Sequence, residues 1–321
     1  MKYFGESGMT IHTDQLIGRG GNSSLYYQYH LVGEYSIAAT ILNVVSSLQT
    51  IDSRNKYFRK IKYLCLNKPV DAVNYPLQSN LGWPVELILN ETGETAGYTF
   101  LYKTNIFSIH KILYCKPSND LAKDFSLREK GGFYKRLSLC IDLVKTLQTL
   151  NQSNNYLYSQ LSPDNICVSE NNSVFMINID ELSFSTDNEL FPPTFYCPEY
   201  SAPEVFKSGS LENYCVESNY YSLAILIYEI LTNVHPFQGF TVDGDHDIMT
   251  LMRTGIFANT SMAINMQKAS PHRIFTSLFS DKLENLFIKT FEDGCLDFAK
   301  RPNYLNWLDA LEEMRKIWEN Q

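Results

Sequence analysis

Near the middle of the chain, Leu157-Tyr158-Ser159-Gln160-Leu161-Ser162-Pro163-Asp164-Asn165 brings amides, a proline and an acid together, and Asp180 closes the run Met176-Ile177-Asn178-Ile179. A carboxylate at the end of an apolar strand offers two oxygens to a hard cation such as Mg²⁺, although a surface turn would place an Asp there too. Asn165 adds an amide oxygen that would serve as a second ligand or cap its own loop. No Asp or Glu occurs from 143 to 163, so Gln160 has no acidic neighbour upstream to act as a general base. Earlier, Gly18-Arg19-Gly20-Gly21-Asn22 would let backbone N–H groups approach phosphate oxygens, and the same residues also make an ordinary hairpin turn.

Other chemistries find less support. The seven Cys are scattered without a Cys-x-x-Cys, and the six His show no metal-ligand spacing with them. An odd number of thiols in a long chain suggests a reducing compartment. A net charge of −8 argues against nucleic acid as a partner, since phosphate binding needs a basic face. The five cations between Arg54 and Lys62 read as a solvated helix face. No apolar run reaches the roughly 18 residues of a membrane span, and the longest, Leu223 to Leu231, is interrupted by Glu229. No basic region followed by an apolar stretch marks a signal peptide, so the expected location is cytoplasmic. Export into another cell by a dedicated secretion system would leave the same sequence.

The elements that must hold these residues divide into two kinds. Asp14 to Tyr29 gives two β-rich runs around the glycines, and Tyr35 to Val45 gives a third. Ser47 to Leu66 has helical spacing in Leu48, Ile51, Phe58, Ile61 and Leu64. Trp83 to Leu89 and Thr95 to Tyr102 then form a hairpin around Asn90-Glu91-Thr92-Gly93. From Phe133 the pattern is helical, with Leu137, Cys140, Ile141, Val144, Leu147 and Leu150 on one face. Ile166 to Val168 and Val174 to Ile179 make a short hairpin. Tyr220 to Leu231 reads as a buried helix, and Phe275 to Phe291 and Tyr304 to Ile317 as further helices. Five strands with one helix, followed by a helical body, is an α+β order. The expected division is 1–104 and 105–321, within one domain.

In this order the segments resemble the parts of a protein kinase. The likeness is to a bacterial kinase-like branch with a Trp-Pro strand and a His-Pro-Phe-x-Gly motif, here Gly82-Trp83-Pro84-Val85 and Val234-His235-Pro236-Phe237-Gln238-Gly239. It covers about Leu16 to Met314. The resemblance implies that Gly18, Arg19, Gly20, Gly21 and Asn22 form the phosphate-covering loop, and that Asn165 and Asp180 are the metal ligands. It puts Thr40 at the position of the phosphate-gripping Lys, and no Lys lies between Lys2 and Lys56. The Glu partner of that Lys is missing too, as no Glu lies between Glu34 and Glu86. Gln160 takes the place of the catalytic Asp, with Tyr158 and Ser159 replacing the His and Arg before it. After Asp180 the usual Phe-Gly is Glu181-Leu182. Glu204 in Ser201-Ala202-Pro203-Glu204 and Arg301 in Lys300-Arg301-Pro302 match a structural ion pair of the family. Asn219 replaces an Asp that braces the catalytic loop, which implies a relaxed demand on that loop.

These departures imply a pseudokinase, a kinase-like domain that acts by binding or regulation through a protein partner, with ATP and Mg²⁺ bound weakly if at all. Two alternatives stay open. One is an enzyme transferring phosphoryl, nucleotidyl or another group from ATP in a non-standard way. The other is a pure protein-interaction module with no nucleotide.

Overall fold

A computed structural model describes residues 2–19, 23–30, 36–42, 50–69, 80–114, 123–169, 171–208, 211, 213–240, 247–260, 272–273 and 277–319. Gly20, Gly21, Asn22, Tyr35, Leu48 and Phe275, which figure in the sequence reading, lie outside them. The fold is α+β and kinase-like, as the sequence led one to expect. Its chain forms two compact units: Met1–Ile106 with Phe175–Asp180, and Phe107–Val174 with Glu181–Gln321.

The first unit is an antiparallel sheet with a helix. Its strands are β1 (Tyr3–Gly5), β2 (Thr10–Ile11), β3 (Leu16–Arg19), β4 (Ser23–His30), β5 (Ser36–Leu42), β6 (Pro84–Asn90) and β7 (Thr95–Tyr102), in the spatial order β2-β1-β6-β7-β5-β4-β3. The sheet has seven strands where the sequence suggested five. β1 and β2 are too short to show a period-two pattern. At the β6–β7 turn, Asn90 Oδ1 accepts from the backbone N–H of Thr92 (3.0 Å) and Glu94 (2.8 Å), and Gly93 takes φ +83°. An Asx turn followed by a left-handed glycine is what Asn-x-x-Gly supplies at low cost.

β5 and β7 approach closely because Gly97 has no side chain: a Cβ there would sit 2.0 Å from the Thr40 carbonyl oxygen. The pairing sets Thr40 opposite Tyr98. Directly opposed residues share a sheet face. Thr40 therefore lies on the face of Tyr98 and Leu87, which pack with Phe58 and Ile61 of the helix. The other face holds Ile11, Ala39, Ile41 and Ile88.

That helix, α1 (Ile51–Leu66), begins four residues later than its periodicity suggested. Thr50 and Ser53 form a capping box, with the Ser53 N–H donating to Thr50 Oγ1 at 3.1 Å, and this stops the helix extending backward. Its C-terminal carbonyls are also satisfied: Trp83 is buried and its indole Nε1–H donates to Leu64 O at 2.9 Å. The Trp-Pro motif thus caps α1 from the start of β6. Met176 bridges Leu81 and accepts from the Gly82 N–H at 2.9 Å, which fixes the 175–180 segment to the same unit.

The second unit is mostly helical. It contains β8 (Phe107–Ser108), α2 (Ile109–Tyr114), α3 (Gly132–Asn154), β9 (Leu157–Tyr158) and β10 (Ile166–Val168). β11 (Val174–Met176) crosses from this unit into the first, with Asp142 of α3 accepting from the Val174 N–H at 2.7 Å. β12 (Leu182–Ser185), β13 (Leu190–Phe191), α4 (Pro203–Ser208), α5 (Val216–Thr232), α6 (Ile248–Thr254), α7 (Asp281–Ile288) and α8 (Tyr304–Trp318) complete the unit. The apolar face of α3 is buried as its spacing implies, against α5 and α8. Helix α5 is buried nearly all round. Tyr221, Phe237, Phe257, Phe287 and Phe291 form one aromatic cluster beside it. Arg136, fully buried in α3, donates to Phe125 O (2.6 Å), Ile230 O (2.5 Å) and Asn233 Oδ1, closing the C-terminal end of α5. Helix α7 starts at Asp281, capped by Ser280, later than the apolar pattern from Phe275 suggested. A single π-turn, Lys289–Asp293, follows it.

Candidate functional site

The candidate residues fall on both units. In the first, Gly18 and Arg19 end β3, paired with Leu25 and Ser24 of β4. Arg19 is exposed. Thr40 is only 5% exposed, in the interior of the sheet. Asp180 does not end a strand as the sequence suggested. β11 stops at Met176, Asn178 adopts φ +56°, and Ile179–Glu181 is a single 3₁₀ turn. A left-handed residue breaks the extended run and re-aims the carboxylate. Asp180 Oδ2 accepts a hydrogen bond from the Tyr57 hydroxyl of α1 at 2.8 Å. Tyr57 precedes Phe58 and lies one turn before Ile61, so the buried stripe of α1 carries it toward that position. The sequence reading missed Tyr57, although its place beside the stripe was a visible signal.

In the second unit, Gln160 and Asn165 come together. Asn165 Nδ2 donates to the Gln160 backbone oxygen (3.1 Å) and to its side-chain Oε1 (3.2 Å). The position read as the lost base is therefore an amide tied to Asn165. Glu181, where the family has Phe, is buried and accepts from the Thr194 N–H at 2.9 Å, pinning the segment that follows.

Asn219 corrects the expectation of a relaxed loop. Its Oδ1 accepts from the Tyr158 N–H at 3.1 Å, and its Nδ2 donates to Tyr158 O at 2.7 Å and to the Tyr214 hydroxyl at 3.0 Å. The amide satisfies both backbone groups of one buried residue, which a carboxylate, being acceptor-only, cannot do. Asn219→Asp is therefore expected to destabilise the fold about as much as Asn219→Ala, by ~2 kcal/mol, because each strands a buried polar group. Chemical denaturation of the two variants, with hydrogen exchange at 157–160, checks this. A neutral Asn219→Asp would mean that the brace carries no energy.

Glu204 and Arg301 form a two-pronged ion pair at 2.7 and 2.8 Å. Arg301 also donates to Gly294 O (2.8 Å) and Glu217 O (2.9 Å) and lies over the Tyr221 ring at 4.9 Å. Burial alone would raise the Glu204 pKa, but the hydrogen bonds and charge of Arg301 outweigh it and hold the carboxyl below its ordinary value. His235 is buried and structural. Its Nδ1 accepts from the Phe237 N–H, which leaves Nε2–H to donate to Glu199 O, and burial lowers its pKa to about 4.

A cavity of about 370 Å³ in this unit went unforeseen. Among the described residues its lining includes His110, Tyr114, Asp164, Glu199, Tyr200, Glu229 and His235, and no Lys or Arg. Glu229 is 0% exposed, its two oxygens accepting from the hydroxyls of Tyr114 and Tyr200 (the latter at 2.8 Å). Burial raises its pKa to about 8.

Among the described residues, no group of three or more His, Cys, Asp or Glu side chains is placed to share a metal ion. The Tyr57 hydroxyl engages Oδ2 of Asp180, so a divalent cation would have to bind through Oδ1 or displace the phenol. None of the described helices is long and apolar enough to cross a membrane.

No protein-family model matches the chain. It is 26% identical over 163 residues to a dual specificity mitogen-activated protein kinase kinase, jkk-1, of Caenorhabditis elegans, covering 50% of this chain and 34% of that one. Identity is 30% over 148 residues to a Drosophila melanogaster cGMP-dependent protein kinase, isozyme 2 forms cD5/T2, covering 43% and 15%. It is 26% over 164 residues to the serine/threonine-protein kinase atg1 of Dictyostelium discoideum, covering 49% and 24%. The chain thus spans about a third or less of the length of these curated relatives. With the α+β architecture, the likenesses support a distant kinase-like relationship.

Proposed function

We propose that this chain is a kinase-like binding and regulatory module that has lost phosphotransfer, a pseudokinase. The observation that carries the reading is Thr40, a hydroxyl buried on the α1 side of the sheet where a kinase-like site needs an ammonium group for the phosphates. Gln160 adds to it, since its amide has no basic oxygen to take a hydroxyl proton. Kinase catalysis is mostly positioning and charge stabilisation, so losing the cation and the base together removes most of what accelerates transfer.

The partner in this reading is a protein. The cavity around Glu229 has acidic and phenolic walls with two imidazoles and, among its described lining residues, no Lys or Arg, which suits a basic side chain from that partner. An arriving Arg or Lys would ionise Glu229 and gain a buried pair.

Incubation with radiolabelled ATP and generic protein substrates is expected to give background signal, equal for the wild type and Asp180→Ala. A robust signal lost in Asp180→Ala would overturn the reading. Transfer of the nucleotidyl moiety, seen by mass spectrometry, would replace it with that of an enzyme of altered chemistry.

A further inference from the structure

We infer that Tyr57 excludes divalent cations from Asp180, so that a hydrogen bond from this chain takes the role that a metal ion has in a kinase-like site. The inference rests on reading Asp180 as the metal-side carboxylate, and it specifies what that carboxylate now binds. Three observations support it.

The contact joins two parts of the same unit, each fixed by its own bonds. Helix α1 is held by its capping box, by buried Phe58, Ile61 and Leu64, and by the Trp83 indole on Leu64 O. The 175–180 segment is held by the Leu81–Met176 bridge, by the Gly82 N–H on Met176 O, and by Lys103 stacked 5.7 Å from the Phe175 ring. The 2.8 Å bond between Tyr57 and Asp180 is therefore built in by both supports.

The chemistry of the donor is also wrong for a metal site. A phenol keeps its proton at neutral pH and donates it to Oδ2, so a hard cation must displace that bond or make do with Oδ1. A cation approaching Oδ2 meets a hydrogen, and its arrival would break a charge-assisted bond in a half-buried site.

The substitution pattern around it is coherent as well. Neither the Lys nor the Glu of the family's pair is present, and Thr40 is neutral. Asp180 has a hydroxyl donor as a partner. Hydrogen bonds to charged groups are strong enough that losing one should change cation affinity about ten- to a hundredfold.

Mn²⁺ alone, without nucleotide, is the probe. Free Mn²⁺ is followed by electron paramagnetic resonance while it is titrated into the full chain, the wild type being compared with Tyr57→Phe and with Tyr57→Phe/Asp180→Asn. The expected result is weak uptake by the wild type, a ten- to hundredfold gain in Tyr57→Phe, and loss of that gain in the double variant. Tyr57→Phe keeps the ring that packs on Phe58, and an unchanged denaturation midpoint would confirm an intact fold. Equal titration curves for wild type and Tyr57→Phe would overturn the inference, as would tight wild-type binding that Asp180→Asn abolishes. Phosphotransfer is not measured in this titration, so failure here and failure of the pseudokinase reading are separate results.

Discussion

Arg301→Ala is expected to destabilise the protein by about 3–5 kcal/mol, because it leaves the Glu204 carboxylate half-buried without its cation. The Arg301 side chain is 0% exposed and also serves two backbone carbonyls, so the loss extends beyond the ion pair. Against a typical domain stability of ~5–15 kcal/mol, such a change is severe. Arg54→Ala provides the contrast. That side chain is exposed, donating to the Thr95 carbonyl and lying over the Phe58 ring, so it should cost less than about 1 kcal/mol. Urea midpoints of the two variants compare them directly, and equal values would show that the pair contributes nothing. The pH dependence supplies a second check. Because Glu204 is held below its ordinary pKa, its contribution is present above about 4.5 and is lost as pH falls through the folded value. The variant should lack that part of the acid transition.

The second large effect is at neutral to alkaline pH. In the folded state Glu229 keeps its proton up to about pH 8, whereas unfolded it releases the proton near 4.5. The folded state thus binds the extra proton, and stability from this group falls as pH rises across that interval. His235 acts in the opposite direction: neutral in the fold down to about pH 4 and protonated near 6.5 when unfolded, it makes stability rise between those values. The two cancel in part below pH 6.5. The wild type should then be roughly level to pH 6.5 and lose about 2 kcal/mol between 6.5 and 8, at ~1.4 kcal/mol per unit. Glu229→Gln, which still bonds both tyrosines, should instead gain stability from pH 4 to 6.5 and stay level above it. Denaturation midpoints at pH 4.5, 6.5 and 8 decide the matter, and parallel profiles would mean that Glu229 is ionised in the fold.

Long, strongly periodic elements were legible in the sequence. The stripe from Leu137 to Leu150 is buried in α3, and Asn90 to Gly93 makes the turn that its composition suggested. What escaped depends on geometry that a linear pattern does not carry. β1 and β2 are too short to show alternation, and Asn178 gave no warning that it would enter the left-handed region and end β11 early. Side chains were legible where the resemblance matched them to a motif, as for Glu204 and Arg301. Tyr57 was not, because its bond to Asp180 joins residues 123 positions apart. Glu229 registered only as an interruption in an apolar run. The elements that bury it come together only in the fold, so its weakened acidity emerges only after folding.

In the pseudokinase reading proposed above, the burial of Thr40 bears on whether a phosphate-gripping cation could be introduced there. A single Thr40→Lys change would put an ammonium group on the closely packed sheet face beside Tyr98 and Leu87, while the acid of α1, Asp52, is exposed in that helix's first turn. A buried, unpaired Lys either loses its proton or strains the packing, so such a change is expected to lower stability before it adds any chemistry. Gly97 tightens the constraint, since the Thr40 backbone has no room to shift toward β7. The packing of this face therefore weighs against any cation at position 40.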